Sequence, residues 1–166
     1  MFEHKFNSLQ ELMNHELKDL YDAEHRILET IPDMKASASS EKLKSLIDDL
    51  HRASEQQKQK IEQVFEKLGL TAEREACAAM KGIIKEAGHM IAAKGDDATG
   101  DAAIIGSINR IQHYEIAGFG TLKAFAEQLG KDDVAGLLGE CLDTGYVLDD
   151  AASVLAESQV NVAAAN

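Results

Sequence analysis

Helix-breaking residues are almost absent from the first 68 residues of this chain. Its only proline is Pro32, and its 12 glycines all lie at or after Gly69. Apolar residues in 8–31 recur every three to four positions, the spacing of a helix with one core-facing side. Pro32 is predicted to stop that helix. A second helix is predicted to begin at Ser39 or Ser40, to end at Gly69, and to lie antiparallel to the first.

The rest of the sequence carries three more stretches with helical spacing and no convincing strand alternation. Their approximate ranges are 73–93, 99–129 and 131–157. A turn is predicted at 94–97, and Gly130 is predicted to cap the third long helix. Two antiparallel pairs joined by a long connection predict an all-α, ferritin-like four-helix bundle with one long crossover that contains a short fifth helix. Residues 1–160 are expected to form this single domain, and 161–166 a frayed tail.

Composition narrows the classes of partner. The chain has 17 basic and 29 acidic side chains and a net charge of −12, which disfavours nucleic acids and anionic membranes. It has no run of about 18 apolar residues and no export signal at its start, so a cytoplasmic protein is expected. Cys77 and Cys141 have no CxxC spacing and are interpreted as small packing residues.

Acidic residues fall inside the apolar sides of three helices when residues are placed about 100° apart. They are Glu24 on the first helix, Glu115 on the third long helix and Asp149 on the fourth, with Glu16 nearer the edge of the first. An unpaired buried carboxylate costs several kcal/mol, so each needs a proton, a cation or a metal. Glu24, Glu115 and Asp149 are the predicted metal ligands.

Dinuclear iron or manganese sites in such bundles take one Glu from each of two helices and a Glu-x-x-His from each of the other two. The second and fourth long helices lack that motif. The positions that stand in place of its ligands are Leu50, Ala53, Ser54, Gln57 and Gly145. The site is therefore predicted to be incomplete.

Other charged side chains lie near this level of the second helix. We hypothesise that Lys58, at the edge of the apolar side, carries its ammonium group toward Glu24 or Glu115. The alternative is an ordinary lysine at the rim. His51 and Glu55 are four residues apart and are interpreted as a rim pair rather than as metal ligands.

Six short segments carry a family signature. They are DLYDAE at 19–24, EQVFEKLG at 62–69, CAAMKG at 77–82, HYEIA at 113–117, GTL at 120–122 and LD at 142–143. Together they make the chain resemble the YciE/YciF family of bacterial ferritin-like proteins. The resemblance implies a ferritin-like bundle, often dimeric, that is associated with stress responses and has a di-metal site but no well-defined substrate.

The departures from that family's pattern bear on the site. Where the family carries a His, then Glu-Thr, on the second helix, this chain has Leu50 and Ala53-Ser54. Gln112 replaces a Glu, and Thr144-Gly145 replaces an acidic pair. The resemblance thus implies that about half of the site remains, at Glu24, Glu115 and Asp149.

Two functions remain open. The first is a stress-associated protein that is non-enzymatic or binds metal weakly, with no cofactor or a partial one. The second is an oxidase or ferroxidase that uses iron or manganese at the three remaining carboxylates, with Glu16 or water completing the shell. A homodimer is expected, in which apolar residues of the crossover such as Ile83, Ile84 and Ile91 contact the second copy. The alternative is that the crossover packs on its own bundle. Any small-molecule substrate is unknown.

Overall fold

The computed structural model describes residues 5–92 and 95–165, and within them every regular element is helical. The five principal helices are α1 (Leu9–Ser37), α2 (Glu41–Lys67), α3 (Ala78–Ala92), α4 (Asp97–Gln128) and α5 (Asp132–Leu155). A π-helical turn (Ala156–Val160) and a short helix, α6 (Asn161–Ala164), continue α5. Part of the predicted turn at 94–97 lies outside the described residues.

The four long helices form the bundle. α1 packs on α2, α2 on α5, α5 on α4, and α4 back on α1. The short α3 crosses outside this ring and packs on α4 and α1, so the crossover covers its own bundle. Its isoleucines Ile83, Ile84 and Ile91 are half-buried against the core. The predicted all-α, ferritin-like bundle with one crossover is confirmed.

The prediction that Pro32 ends α1 is wrong. Pro32 lies inside the helix on its exposed side, and α1 continues to Ser37. A proline within a helix costs about 3 kcal/mol because it removes one hydrogen bond and crowds the preceding turn. Burial of Met34 and Ala38 beyond it offsets that cost, since both pack into the core.

Helix α3 begins at Ala78, five residues later than predicted, because tertiary contacts hold the preceding segment in a non-helical form. The backbone amide of Cys77 donates to Asp22 Oδ2 at 2.8 Å, and that of Glu75 donates to the Lys18 carbonyl at 3.2 Å. Arg74 also donates to Asp22, at 2.8 Å. Hydrogen bonds from residues 74–77 therefore hold this segment against α1 before α3 begins.

Three further helix ends follow local chemistry, as predicted, whereas α4 begins at Asp97, inside the predicted turn, with Asp96 as its N-cap. Ser40 caps α2, and Gly69 and Gly130 end α2 and α4 in the left-handed conformation, with φ of 67° and 65°. Cys77 and Cys141 are both buried, as expected of packing residues, but Cys77 Sγ also accepts the Met80 amide at 3.2 Å and lies 3.0 Å from Tyr114 Oη. None of residues 161–164 is buried, and fraying of this tail stays a prediction.

Candidate functional site

Two of the predicted carboxylates meet in the centre of the bundle. Glu24 comes from α1 and Glu115 from α4, and the side chains of both are fully buried. Helical periodicity places each among apolar neighbours, such as Leu20 and Ile27 on α1. The two carboxyl groups lie within hydrogen-bonding reach of each other. This carboxyl pair is the centre of the candidate site.

Polar side chains from α2 and α4 surround the pair. Gln112 donates from Nε2 to Glu115 Oε2 at 2.5 Å, and Ser54 lies beside Glu24. Gln57 donates to the Cys141 carbonyl on α5 at 3.3 Å. From the sequence, Ser54, Gln57 and Gln112 were predicted only to stand where metal ligands are missing, and the hydrogen bond from Gln112 to Glu115 was not predicted. The signal was present, because residues three apart on one helix share a face.

Most of the oxygen atoms in this cluster lack a donor. Among the described residues, the buried side-chain atoms without a hydrogen-bond partner include six from the cluster. They are Glu24 Oε1 and Oε2, Glu115 Oε1, Ser54 Oγ, Gln57 Oε1 and Gln112 Oε1. Buried polar groups are seldom left unpaired, since each costs about 1–3 kcal/mol. The cluster is therefore built to take up a proton, a water molecule or a cation.

The protonation of the pair follows from its burial. Desolvation raises the pKa of Glu115 to about 7, although the neighbouring Glu24 carboxyl group and the hydrogen bond from Gln112 oppose the rise. Desolvation also raises the pKa of Glu24 well above 4.5, and the nearby charge of Glu115 adds to this. A proton held between the two carboxyl groups would supply the missing donor.

Asp149 does not join the pair. Its side chain is 22% exposed, and Oδ1 lies 3.4 Å from Nε2 of His113, which itself points to solvent. In the described parts of the chain, no three His, Cys, Asp or Glu side chains come close enough together to hold a metal ion. The structure thus brings together two of the three predicted ligands, and the metal assignment itself stays a prediction.

The other polar candidates lie toward the surface. Lys58 does not neutralise the pair as hypothesised, because its Nζ lies 3.8 Å from Glu62 Oε1 at the edge of the bundle. A partner four residues along the same helix is easier to reach than the core, where an ammonium group would lose its hydration. Glu16 and His51 are partly exposed, and Glu55 is exposed.

The residues present do not fit a dinuclear metal centre. The pair supplies two carboxylates and has only amide and hydroxyl neighbours, whereas such centres need four carboxylates and two histidines. Gly145, where a fourth-helix ligand would stand, faces Ile116 so closely that a Cβ atom there would lie 3.1 Å from Ile116 Cγ1. A ligand from α5 at this position would therefore require the Ile116 side chain to move by a few tenths of an ångström.

Comparisons with known proteins place the chain in a family. A model described as "Domain of unknown function (DUF892)" matches residues 8–165. The chain is 34% identical to Protein YciF of Escherichia coli (strain K12) over 160 residues, which is 96% of each protein. No helix in the described residues is both long and apolar enough to cross a membrane.

Solved structures agree with this assignment. The structure of the E. coli stress protein YciF aligns with a TM-score of 0.90 and 33% identity, over 94% of this chain and 99% of that one. A protein from Rhodopseudomonas palustris, described as YcfI, a putative structural protein, aligns with a TM-score of 0.88 and 32% identity, over 92% and 98%. The family match, the curated relative and these structures agree, and the chain belongs to the DUF892 family, as a homologue of YciF.

Proposed function

We propose that this chain is a stress-associated structural protein of the YciF type, and that its core carboxyl pair holds a proton where ferritin-like oxidases hold two metal ions. The stress association is carried over from the E. coli relative, which is described as a stress protein, and the structural role from the description of the Rhodopseudomonas relative. The observation that carries the proposal is the composition of the cluster around Glu24 and Glu115.

That cluster supports a structural role because it lacks the groups that oxidative chemistry requires. Two irons need enough carboxylate and imidazole ligands to balance their charge and fix their positions. Here the polar neighbours of the pair are neutral, and the side-chain amide of Gln112 donates a hydrogen bond to Glu115. A neutral amide stabilises a partly protonated pair but contributes little to holding two divalent ions.

Weak binding of one metal ion is the second candidate. The six unpartnered oxygens of the cluster favour it, because hard cations such as Mn²⁺ and Mg²⁺ prefer oxygen ligands. Glu24 and Glu115 would hold that ion, with the Ser54 hydroxyl and the amide oxygens as neutral ligands. Such a site would carry one ion rather than two.

Metal analysis separates these possibilities. The full-length chain is produced in medium supplemented with iron and manganese, and bound metal is measured by plasma mass spectrometry. We expect far less than one ion per chain, and no faster iron(II) oxidation than in buffer. The matched variants are Glu115→Ala and, as an exposed control on the same helix, Glu127→Ala.

Each outcome has a defined meaning. About one weakly held ion, lost in Glu115→Ala and kept in Glu127→Ala, would favour the second candidate. Two ions per chain with rapid iron(II) oxidation, both abolished by Glu115→Ala, would refute the structural role and establish the oxidase.

A further inference from the structure

The outer side of α5 presents one continuous exposed seam. Six residues at helical spacing line up along it, and all of them are exposed. They are Gly136, Glu140, Asp143, Val147, Ala151 and Val154. At about 1.5 Å per residue, the seam is about 27 Å long, which is the length of five helical turns.

The C-terminal half of the seam is apolar. Val147 and Val154 are 68% and 57% exposed, and Ala151 and the exposed Asp150 lie between them. Tyr146, beside Val147, is 55% exposed. Elsewhere in the described residues before α5, the exposed large hydrophobic side chains are Phe6 and Met90, at 40% and 42%. Such a concentration of exposed apolar side chains is typical of an interaction surface rather than of scattered surface residues.

The N-terminal half of the seam is acidic and grooved. Gly136 and Gly139 leave a cavity of about 380 Å³ between α4 and α5. Its lining includes four acidic side chains, Glu127, Asp132, Glu140 and Asp143, and one basic side chain, Lys123. Lys123 is paired with Glu127 at 2.5 Å, and Lys60 of α2 is paired with Glu140 at 2.8 Å, which leaves Asp132 and Asp143 as the acidic groups of this lining outside those ion pairs. Asp143 lies at the junction of the acidic and apolar halves.

The charge of this region argues against a second copy of the chain as the occupant. Residues 132–166 contain seven acidic side chains and no lysine, arginine or histidine. Two copies paired through this seam would bring those like charges within a Debye length, about 8 Å at physiological salt. A partner of opposite charge is instead attracted by the same side chains.

We infer that the outer seam of α5 binds a basic amphipathic helix of another protein. Apolar side chains of that helix, spaced four and three residues apart, would cover Val147, Ala151 and Val154. Lysine or arginine side chains one to two turns away would enter the acidic groove at Asp143, beside the ion pair of Lys60 with Glu140. The seam lies on the outer side of α5, whereas the core carboxyl pair is buried inside the bundle, so this binding is expected to be independent of metal content.

A model peptide tests the inference on the full-length chain. The probe is a fluorescein-labelled helical peptide of about 18 residues, made of leucine and lysine with leucines at heptad spacing, and the analogue replaces every lysine with glutamate. Fluorescence anisotropy reports binding at low salt and at about 0.3 M salt. The protein variants are Val147→Thr/Val154→Thr, which keeps side-chain shape, Asp143→Asn, and Met90→Thr as an exposed apolar control on α3.

The expected results are specific to the seam. The lysine peptide binds saturably and the glutamate analogue does not. The double threonine variant weakens binding at least about tenfold, Asp143→Asn flattens the salt dependence, and Met90→Thr changes binding by less than about twofold. Circular dichroism checks that each variant keeps its helical content.

Three outcomes would overturn the inference. They are no saturable binding of the lysine peptide, equal binding by the wild type and the double threonine variant, and an equal loss in Met90→Thr. Sedimentation equilibrium adds a fourth, because a wild-type dimer that the double threonine variant abolishes would make the seam a contact between copies of this chain.

Discussion

Replacing Glu115 with glutamine should remove a large part of the pH dependence of stability. The pKa of Glu115 is raised in the fold, from 4.5 to about 7, chiefly by desolvation. A folded pKa above the unfolded value means that the folded state binds the proton more tightly. Its contribution to stability is therefore complete below about pH 4.5 and is lost as the pH rises toward 7.

The size of the effect follows from the same shift. Each pH unit between the two pKa values is worth about 1.4 kcal/mol, so the wild type should lose about 3 kcal/mol of unfolding free energy between pH 4.5 and 7 through this group. Glutamine is neutral at both ends of the range and nearly the same shape. Its amide can also donate to the Glu24 carboxylate. Glu115→Gln should therefore show a flatter profile and be at least as stable as the wild type above pH 7.

Urea unfolding followed by far-UV circular dichroism measures this effect. The protein is first dialysed against EDTA so that a bound ion contributes nothing. Glu127→Gln, an exposed substitution on the same helix, should keep the wild-type profile. Parallel pH profiles for the wild type and Glu115→Gln would show that burial does not perturb this carboxyl group, and the reasoning about the core would fail.

Three further predictions concern the rest of the fold. Asp22→Asn should lower the free energy of unfolding by about 2–3 kcal/mol near neutral pH. Desolvation of the Asp22 carboxylate is outweighed by hydrogen bonds from Cys77 N–H, Arg26 and Arg74, so its pKa is lowered in the fold. The loss should therefore shrink as the pH falls below 3.8, which urea titrations would detect. Asp101→Ala should lower the urea midpoint by the equivalent of about 2 kcal/mol, since its carboxylate accepts two backbone N–H groups of the α1–α2 turn at 2.7 and 2.8 Å. Cys141, whose pKa desolvation raises to about 12, should not react with a thiol reagent until the protein is unfolded, whereas rapid reaction in buffer would show that α5 opens locally.

The burial of Glu24 and Glu115 was predictable because it depends on local periodicity. A helix advances about 100° per residue, so the apolar neighbours along one chain segment fix which side a carboxylate faces. The ends of α2 and α4 at Gly69 and Gly130 were predictable from residue type, because glycine adopts the positive φ that ends a helix more easily than other residues.

Features set by contacts between distant segments were not predictable in this way. Asp22 accepts a hydrogen bond from the backbone amide of Cys77, 55 residues along the chain, and because of this contact α3 begins only after Cys77. Asp149 lies beside His113 of α4 rather than beside the core pair, which depends on how α5 packs on α4. Burial of Met34 helps α1 to continue past Pro32. That burial depends on side chains of other helices, which the sequence of α1 alone does not identify.

The close approach of Gly145 to Ile116 limits how this protein could be redesigned. An aspartate or glutamate introduced at 145 would meet the isoleucine side chain before it reached the carboxyl pair, since even its first side-chain carbon would be crowded. Recovering an iron-binding bundle from this sequence would therefore need room for the new acid beside Ile116, and also the histidine and carboxylate ligands that α2 and α4 lack.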